Sequence, residues 1–211
     1  MRETNNPNSE RWAVGVVDVE NDFCEGGSLA VAGGSDVAAR IHRWLADEPG
    51  RWVARFATAD RHPAVLPDHF APDGTEPDYV DSWPPHCVAG TPGAELHPNL
   101  LDGVPETALF DELFAKGQRS AAYSGFEGTS ADGVELAEWL RARAVDGIEL
   151  CGIATDYCVR ATAASALAEG FRVRVVTDLC AGIADDTTEQ ALDELRAAGA
   201  EITTTAALSA T

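Results

Sequence analysis

Lysine is almost absent from this chain of 211 residues: Lys116 is its one example, and the other 14 cationic side chains are arginine. Arginine stays protonated in proteins, whereas the proton affinity of a lysine can be tuned by burial and by its neighbours. Lys116 is therefore a candidate for a role that a guanidinium cannot fill. Positive charge as a whole is scarce, with 15 Lys and Arg against 35 Asp and Glu, for a formal net charge of −20. Such a surface repels nucleic acid and anionic membranes. No apolar run approaches the roughly 20 residues of a membrane span. The opening segment MRETNNPNSER has no apolar stretch of the kind a secretory signal needs, so residues 1–11 read as a polar tail. The five cysteines are an odd number in such a chain, which argues for reduced thiols in the cytoplasm and against a disulfide framework.

What is present is an alternation of apolar runs and helical patterns over residues 12–211, the length of one well-buried domain. Strands are predicted at WAVGVVDV (12–19), WVARFATAD (52–60), ETALF (106–110), GIELCGI (147–153), FRVRVVTD (171–178) and EITT (201–204). Between them, residues 36–47, 133–144, 156–170 and 188–199 carry apolar positions at helical spacing, and Gly170 and Gly199 act as stop signals. This rhythm predicts an α/β fold, a single doubly wound domain with an about six-stranded parallel sheet covered by helices on both faces. The proline-rich stretch 61–105 breaks it; a loop of that length without its own elements is functional or disordered.

Ligands of open α/β sheets bind beyond the carboxyl ends of the strands. Asp18 arrives there after the first strand, Asp60 and His62 after the second, Lys116 after the third, and Cys158 after the fourth. A thiol in the first turn of a helix is expected to ionise below its free value of about 8.5, with Thr155 or Asp156 as the cap. The amides of that turn are placed to receive an oxyanion. Asp60, His62, His69 and His86 offer one carboxylate and three imidazoles, a donor set suited to one divalent metal ion such as zinc, iron or manganese. Neither His42 nor His97 has an evident partner, and Cys24, Cys87, Cys151 and Cys180 read as small core residues.

Four landmarks occur in order: VVDVENDFCEGGSLAV, DRH…DHF…SWPPHCVAGTPGAE, AKGQRSAAYSGFEGT and GIATDYCVRATAASAL. On these the chain resembles the nicotinamidases (pyrazinamidases) of the isochorismatase-like cysteine hydrolase superfamily over residues 12–204. The resemblance implies hydrolysis of a small aromatic carboxamide through a cysteine thioester, in NAD salvage. It implies Cys158 as nucleophile, Asp18 as base and Lys116 paired with both. It further implies a cis bond at Ile153–Ala154, an oxyanion hole from the amides of Ala154 and Cys158, and metal ligation by Asp60, His62, His69 and His86. Phe23, Trp83, Tyr123, Ile153 and Tyr157 would line the ring pocket. Glu20 stands where many members carry glutamine, and Tyr157 where close relatives carry histidine. Two other readings are an amidase of the superfamily acting on N-carbamoyl or other carboxamides, and a non-catalytic metal- or ligand-binding member.

Overall fold

The computed structural model describes residues 10–63, 69–72, 74–79 and 81–210. Of the expected polar tail, residues 1–9 lie outside the described residues. Six strands, β1 (Trp12–Val17), β2 (Ala54–Asp60), β3 (Glu112–Lys116), β4 (Gly147–Ile153), β5 (Arg172–Ala181) and β6 (Glu201–Thr203), form one sheet in the order β3-β2-β1-β4-β5-β6. Every pairing is parallel. β1 and β4 are the centre: five of the six residues of β1 and all seven of β4 are buried. Continuous apolar runs are the pattern expected of strands covered on both faces.

One face carries α1 (Gly34–Asp47) and the short α7 (Thr205–Ser209), whose Ile41, Leu45 and Leu208 pack with Val14, Val16 and Val176. The other carries α4 (Leu136–Ala142), α5 (Arg160–Ala168) and α6 (Asp185–Ala197), whose Leu136, Leu140, Ala163 and Leu195 pack on Val17, Phe56, Ile148 and Val175. Gly15 makes the centre of the sheet possible. A Cβ there would stand 2.4 Å from the Phe56 ring and 2.8 Å from Leu150, so only glycine admits both side chains. Glu149, a carboxylate buried low in the sheet, is satisfied by Arg51, by Trp52 Nε1 at 2.7 Å and by Arg174 at 3.2 Å. No helix among the described residues is long and apolar enough to cross a membrane.

The third strand is not where the apolar run predicts it. Glu106–Leu109 is a single helical turn, α3, entered from Pro105, and the strand is Glu112–Lys116. The run 106–110 is apolar because Leu109 and Phe110 plug the side of the core, not because it pairs. The true edge strand alternates: Phe114 and Lys116 are buried while Leu113 and Ala115 are half-buried. Its register sets Phe114 beside Thr58 and Lys116 beside Asp60.

The described parts of 61–105 are stitched by two parallel bridges, His62 with Val88 and Phe70 with Trp83. Backbone bonds from His62 N to Cys87 O at 3.0 Å and from Trp83 N to His69 O at 2.8 Å hold His62, His69 and His86 near one another. Further along, the chain makes a 3₁₀ turn at Pro92–Ala94 and the short α2 (Pro98–Leu101). The chain order places the topological switch point between β1 and β4, where neighbouring connections leave in opposite directions.

Candidate active site

The carboxyl ends of β1, β2, β3 and β4 converge on that switch point. Asp18 follows β1 in the left-handed region at φ 49, an uncommon conformation for a residue with a side chain. Its carboxylate is fully buried and accepts the Thr58 hydroxyl at 2.6 Å. Lys116, at the end of β3, is 1% exposed. Its ammonium lies 2.9 Å from Asp18 Oδ2, 2.7 Å from Asp60 Oδ1, 2.9 Å from the Ala122 carbonyl and 3.9 Å from Cys158 Sγ. The three residues predicted as the reacting group therefore meet around one ammonium.

Cys158 does not start an α-helix. It lies in a π-helical turn, Thr155–Val159, that precedes α5, and the bond Ile153–Ala154 leading into the turn is cis. Neither Thr155 nor Asp156 caps it; the N-cap position is Ala154, without a side-chain hydrogen bond.

The ionisation of the thiol departs from the expectation as well. Burial pushes the Cys158 thiol well above its ordinary value. The Lys116 charge opposes this, but the charges of Asp18 and Asp60 and the thiol's hydrogen bond to Asp18 push in the same direction as burial. A helix terminus on paper lowers a thiol pKa; a sealed pocket holding two carboxylates raises it. Burial also raises Asp18, against Lys116, and raises Glu20 well above the carboxylate range. Asp60 remains ionised at about 2 despite burial, because Lys116 and His62 both favour its charge. At rest the site thus holds a cationic lysine, an anionic Asp60 and a protonated thiol facing Asp18.

Asp60, His62 and His86 each bring one ligand atom to within 4.8 Å of the others. His69 flanks this trio, with its ring centroid 4.7 Å from that of His62 and 6.2 Å from that of His86. His62 Nδ1 donates to the Gly117 carbonyl at 2.9 Å and His86 Nδ1 to the Pro84 carbonyl at 2.8 Å. Those bonds fix the tautomers so that each Nε2 keeps its lone pair, the arrangement found behind metal-ligating imidazoles. Gly117 lies at φ 74, and a Cβ there would stand 2.5 Å from the His62 ring. The donors fit a divalent cation.

Trio and thiol share one cleft. Phe23, Trp83, Tyr123, Ile153 and Tyr157, all predicted for the pocket, line it. Tyr123 stands with its ring 6.2 Å from Trp83 and 5.9 Å from Tyr157. The walls also include Leu29, Val31, Ala122 and Ile183, which sequence reasoning missed. Ile183 had a signal: it stands just beyond the carboxyl end of β5, where the rule that selected the other residues applies equally. Leu29 and Val31 belong to an irregular segment with no such signal. His42 and His97 are elsewhere, bonded to the Leu100 carbonyl and to the Asn99 amide. None of the five cysteines is in a disulfide.

Comparison with known proteins agrees with this geometry. The isochorismatase domain family matches residues 13–207. The nicotinamidase/pyrazinamidase of Mycobacterium tuberculosis is 50% identical over 188 residues, spanning 89% of this chain and 95% of its own length. The zinc complex of a pyrazinamidase from Pyrococcus horikoshii superposes with a TM-score of 0.75 at 35% identity, covering 92% of this chain and 99% of that one. An L. infantum protein solved in complex with nicotinate superposes with a TM-score of 0.77 at 31% identity, covering 93% and 94%.

Proposed function

The chain belongs to the isochorismatase domain family, and from that premise we propose that it is an amidohydrolase converting nicotinamide to nicotinate and ammonia. Pyrazinamide is a second substrate of the same shape. The observation that carries this reading is the buried group of Asp18, Lys116 and Cys158 opening on an aromatic-walled cleft that also holds the Asp60–His62–His86 trio.

Cys158 is the nucleophile and Asp18 the base. The thiol is protonated at rest, so its proton passes to Asp18 as Sγ attacks the carboxamide carbon. A raised Asp18 pKa suits this, because a proton acceptor works best when its pKa lies near the operating pH; such transfer contributes about 10²–10⁴-fold. The amides of Ala154 and Cys158 receive the oxyanion, each donor worth about 10²–10³-fold. Asp18 returns the proton to the departing nitrogen, ammonia leaves, and a thioester remains. Water, deprotonated by Asp18, hydrolyses the thioester and releases nicotinate. Dividing one difficult step into two easier ones is the contribution of the nucleophile. Lys116 holds Asp18 and the developing thiolate at fixed distance and carries the compensating charge throughout.

Phe23, Trp83, Tyr123, Ile153 and Tyr157 sandwich the ring. Asp60, His62, His69 and His86 would hold one divalent ion, zinc, iron or manganese, which when bound supplies a Lewis-acidic docking point for the ring nitrogen. The hydrolase domain spans residues 12–211, and the reaction belongs to pyridine-nucleotide salvage in the cytoplasm. The negative surface fits a neutral small-molecule partner and neither nucleic acid nor membrane.

The reading is tested by incubating purified protein with nicotinamide and measuring ammonia and nicotinate. Equimolar release is expected; no release from metal-replete protein overturns it. Removal of the metal by a chelator is expected to raise KM for nicotinamide at least about tenfold, as a lost ring contact would, with zinc restoring it. An unchanged KM in protein shown free of metal by mass spectrometry would remove the docking role.

A further inference from the structure

The Asp156 carboxylate takes part in none of these steps, yet it is 4% exposed and both of its oxygens are engaged. Oδ1 accepts the Ile183 amide at 3.0 Å, and Oδ2 accepts the Thr187 hydroxyl at 2.5 Å. Asp156 lies two positions before Cys158 in the π-helical turn. Its partners lie 27 and 31 positions further along, around the start of α6. Both oxygens of this buried side chain are thus directed to a surface turn.

The turn carries Ile183, which is 55% exposed and lines the cleft beside Tyr157 and Cys158. Its root is rigid: Ala181 pairs with Ile153 in the sheet, and a Cβ on Gly182 would meet Thr188 Oγ1 at 1.9 Å. Its tip is tied to the turn of the nucleophile by the two bonds to Asp156, beside the packing of α6 on that turn.

We propose that Asp156 is a positioning residue that latches Ile183 as a fixed wall of the cleft, and so sets how large a group can reach Cys158. An apolar wall discriminates by overlap, and it does so only if it cannot retract. On the amidase reading, the groups excluded are pyridine and pyrazine carboxamides with a bulky substituent on the ring. The wall itself is independent of that reading, since Ile183 and Cys158 line the same cleft whatever electrophile enters it.

The test compares alkylation of Cys158 by iodoacetamide and by N-benzyl iodoacetamide at alkaline pH, with the labelled peptide identified by mass spectrometry. Kinetics with nicotinamide and 5-phenylnicotinamide run in parallel. Wild-type protein is expected to favour the small reagent. Asp156→Ala and Ile183→Ala should each reduce that preference about tenfold, the scale on which an apolar pocket rejects an oversized group. The double variant should lose no more than either single one. Asp156→Asn keeps an acceptor for the Ile183 amide and should retain most of the preference. Thr187→Val, on the exposed turn and harmless to the core, should lose part of it. Wild-type selectivity in Asp156→Ala and Thr187→Val, or effects that multiply in the double variant, would overturn the latch. Loss of reagent selectivity in a protein that does not turn over nicotinamide would leave the latch standing and remove the amidase reading.

Discussion

Asp18→Asn is expected to slow nicotinamide turnover by about 10²–10⁴-fold, the contribution of a positioned proton acceptor, while making Cys158 more easily alkylated at neutral pH. The two effects run in opposite directions because Asp18 acts on the thiol in two ways. On the proposed mechanism it accepts the proton in turnover. At rest its charge and its hydrogen bond with the thiol add to burial in holding the thiol pKa up, against Lys116 alone. Asparagine removes the proton acceptor and the charge and leaves at most a weaker, neutral hydrogen bond to the thiol, so the thiolate fraction at a given pH increases. The wild-type enzyme should show an alkylation rate that still climbs tenfold per pH unit beyond the ordinary thiol value of about 8.5. In Asp18→Asn that climb should level off at lower pH. Iodoacetamide kinetics followed by peptide mass spectrometry, with Cys158→Ala as the blank, decide the matter. Slower alkylation in the variant would mean that Asp18 ionises the thiol at rest, and a turnover rate within threefold of wild type would remove Asp18 as the base.

Replacement of Lys116 has the largest expected effect on the folded state. Its ammonium is the buried counter-charge of both Asp18 and Asp60. Removing one partner from a buried ion pair costs about 3–5 kcal/mol, because the carboxylates left behind are desolvated and uncompensated. Lys116→Met is therefore expected to lose about that much in urea denaturation at pH 7 and to have no measurable amidase activity. The sign of the pH dependence follows from Asp60. Its pKa is depressed to about 2 in the native protein, below the unfolded value of about 3.9. The wild-type stabilisation is thus present above pH 4 and lost as pH falls through 2. In Lys116→Met the contribution of Lys116 to that depression is gone and only that of His62 remains, so protonation relieves the repulsion at higher pH and the gap between variant and wild type should narrow from pH 7 to pH 4. A constant gap would place the loss in packing instead of charge. Lys116→Arg keeps the charge, but a planar fork cannot occupy a point 2.7 Å from one carboxylate and 2.9 Å from another, with a carbonyl at 2.9 Å. It should remain folded and be inactive.

Much of this was legible from the order of residues. Four of the strands are apolar runs rich in β-branched residues, which periodicity reads directly. The residues after those strands arrive at the rim because a parallel sheet aligns all its carboxyl ends on one side, so Asp18, Asp60, Lys116 and Cys158 needed no contacts to be selected. The third strand escaped because an edge strand is partly wet: ELFAK carries two charges, while the more apolar ETALF forms a turn that plugs the core. The His62–His69–His86 grouping was suggested by the donor set and by the family resemblance, not by any periodicity. What brings the three together is a set of bridges between His62 and Val88 and between Phe70 and Trp83, pairings with no periodic signature.

The sequence by itself determined the architecture and the identity of the polar groups that face the cleft, because both depend on local pattern and strand order. Only the tertiary structure decided how those groups behave. Cys158 was expected to ionise easily from its place at a helix start, and it is held protonated by burial and by carboxylates from β1 and β2, more than 90 positions away in the chain. Asp156, with Thr155 one of two candidates to cap a helix, instead reaches 27 positions forward to Ile183. Desolvation and charge coupling depend on what packs around a group in space, and residues distant in the chain supply that packing.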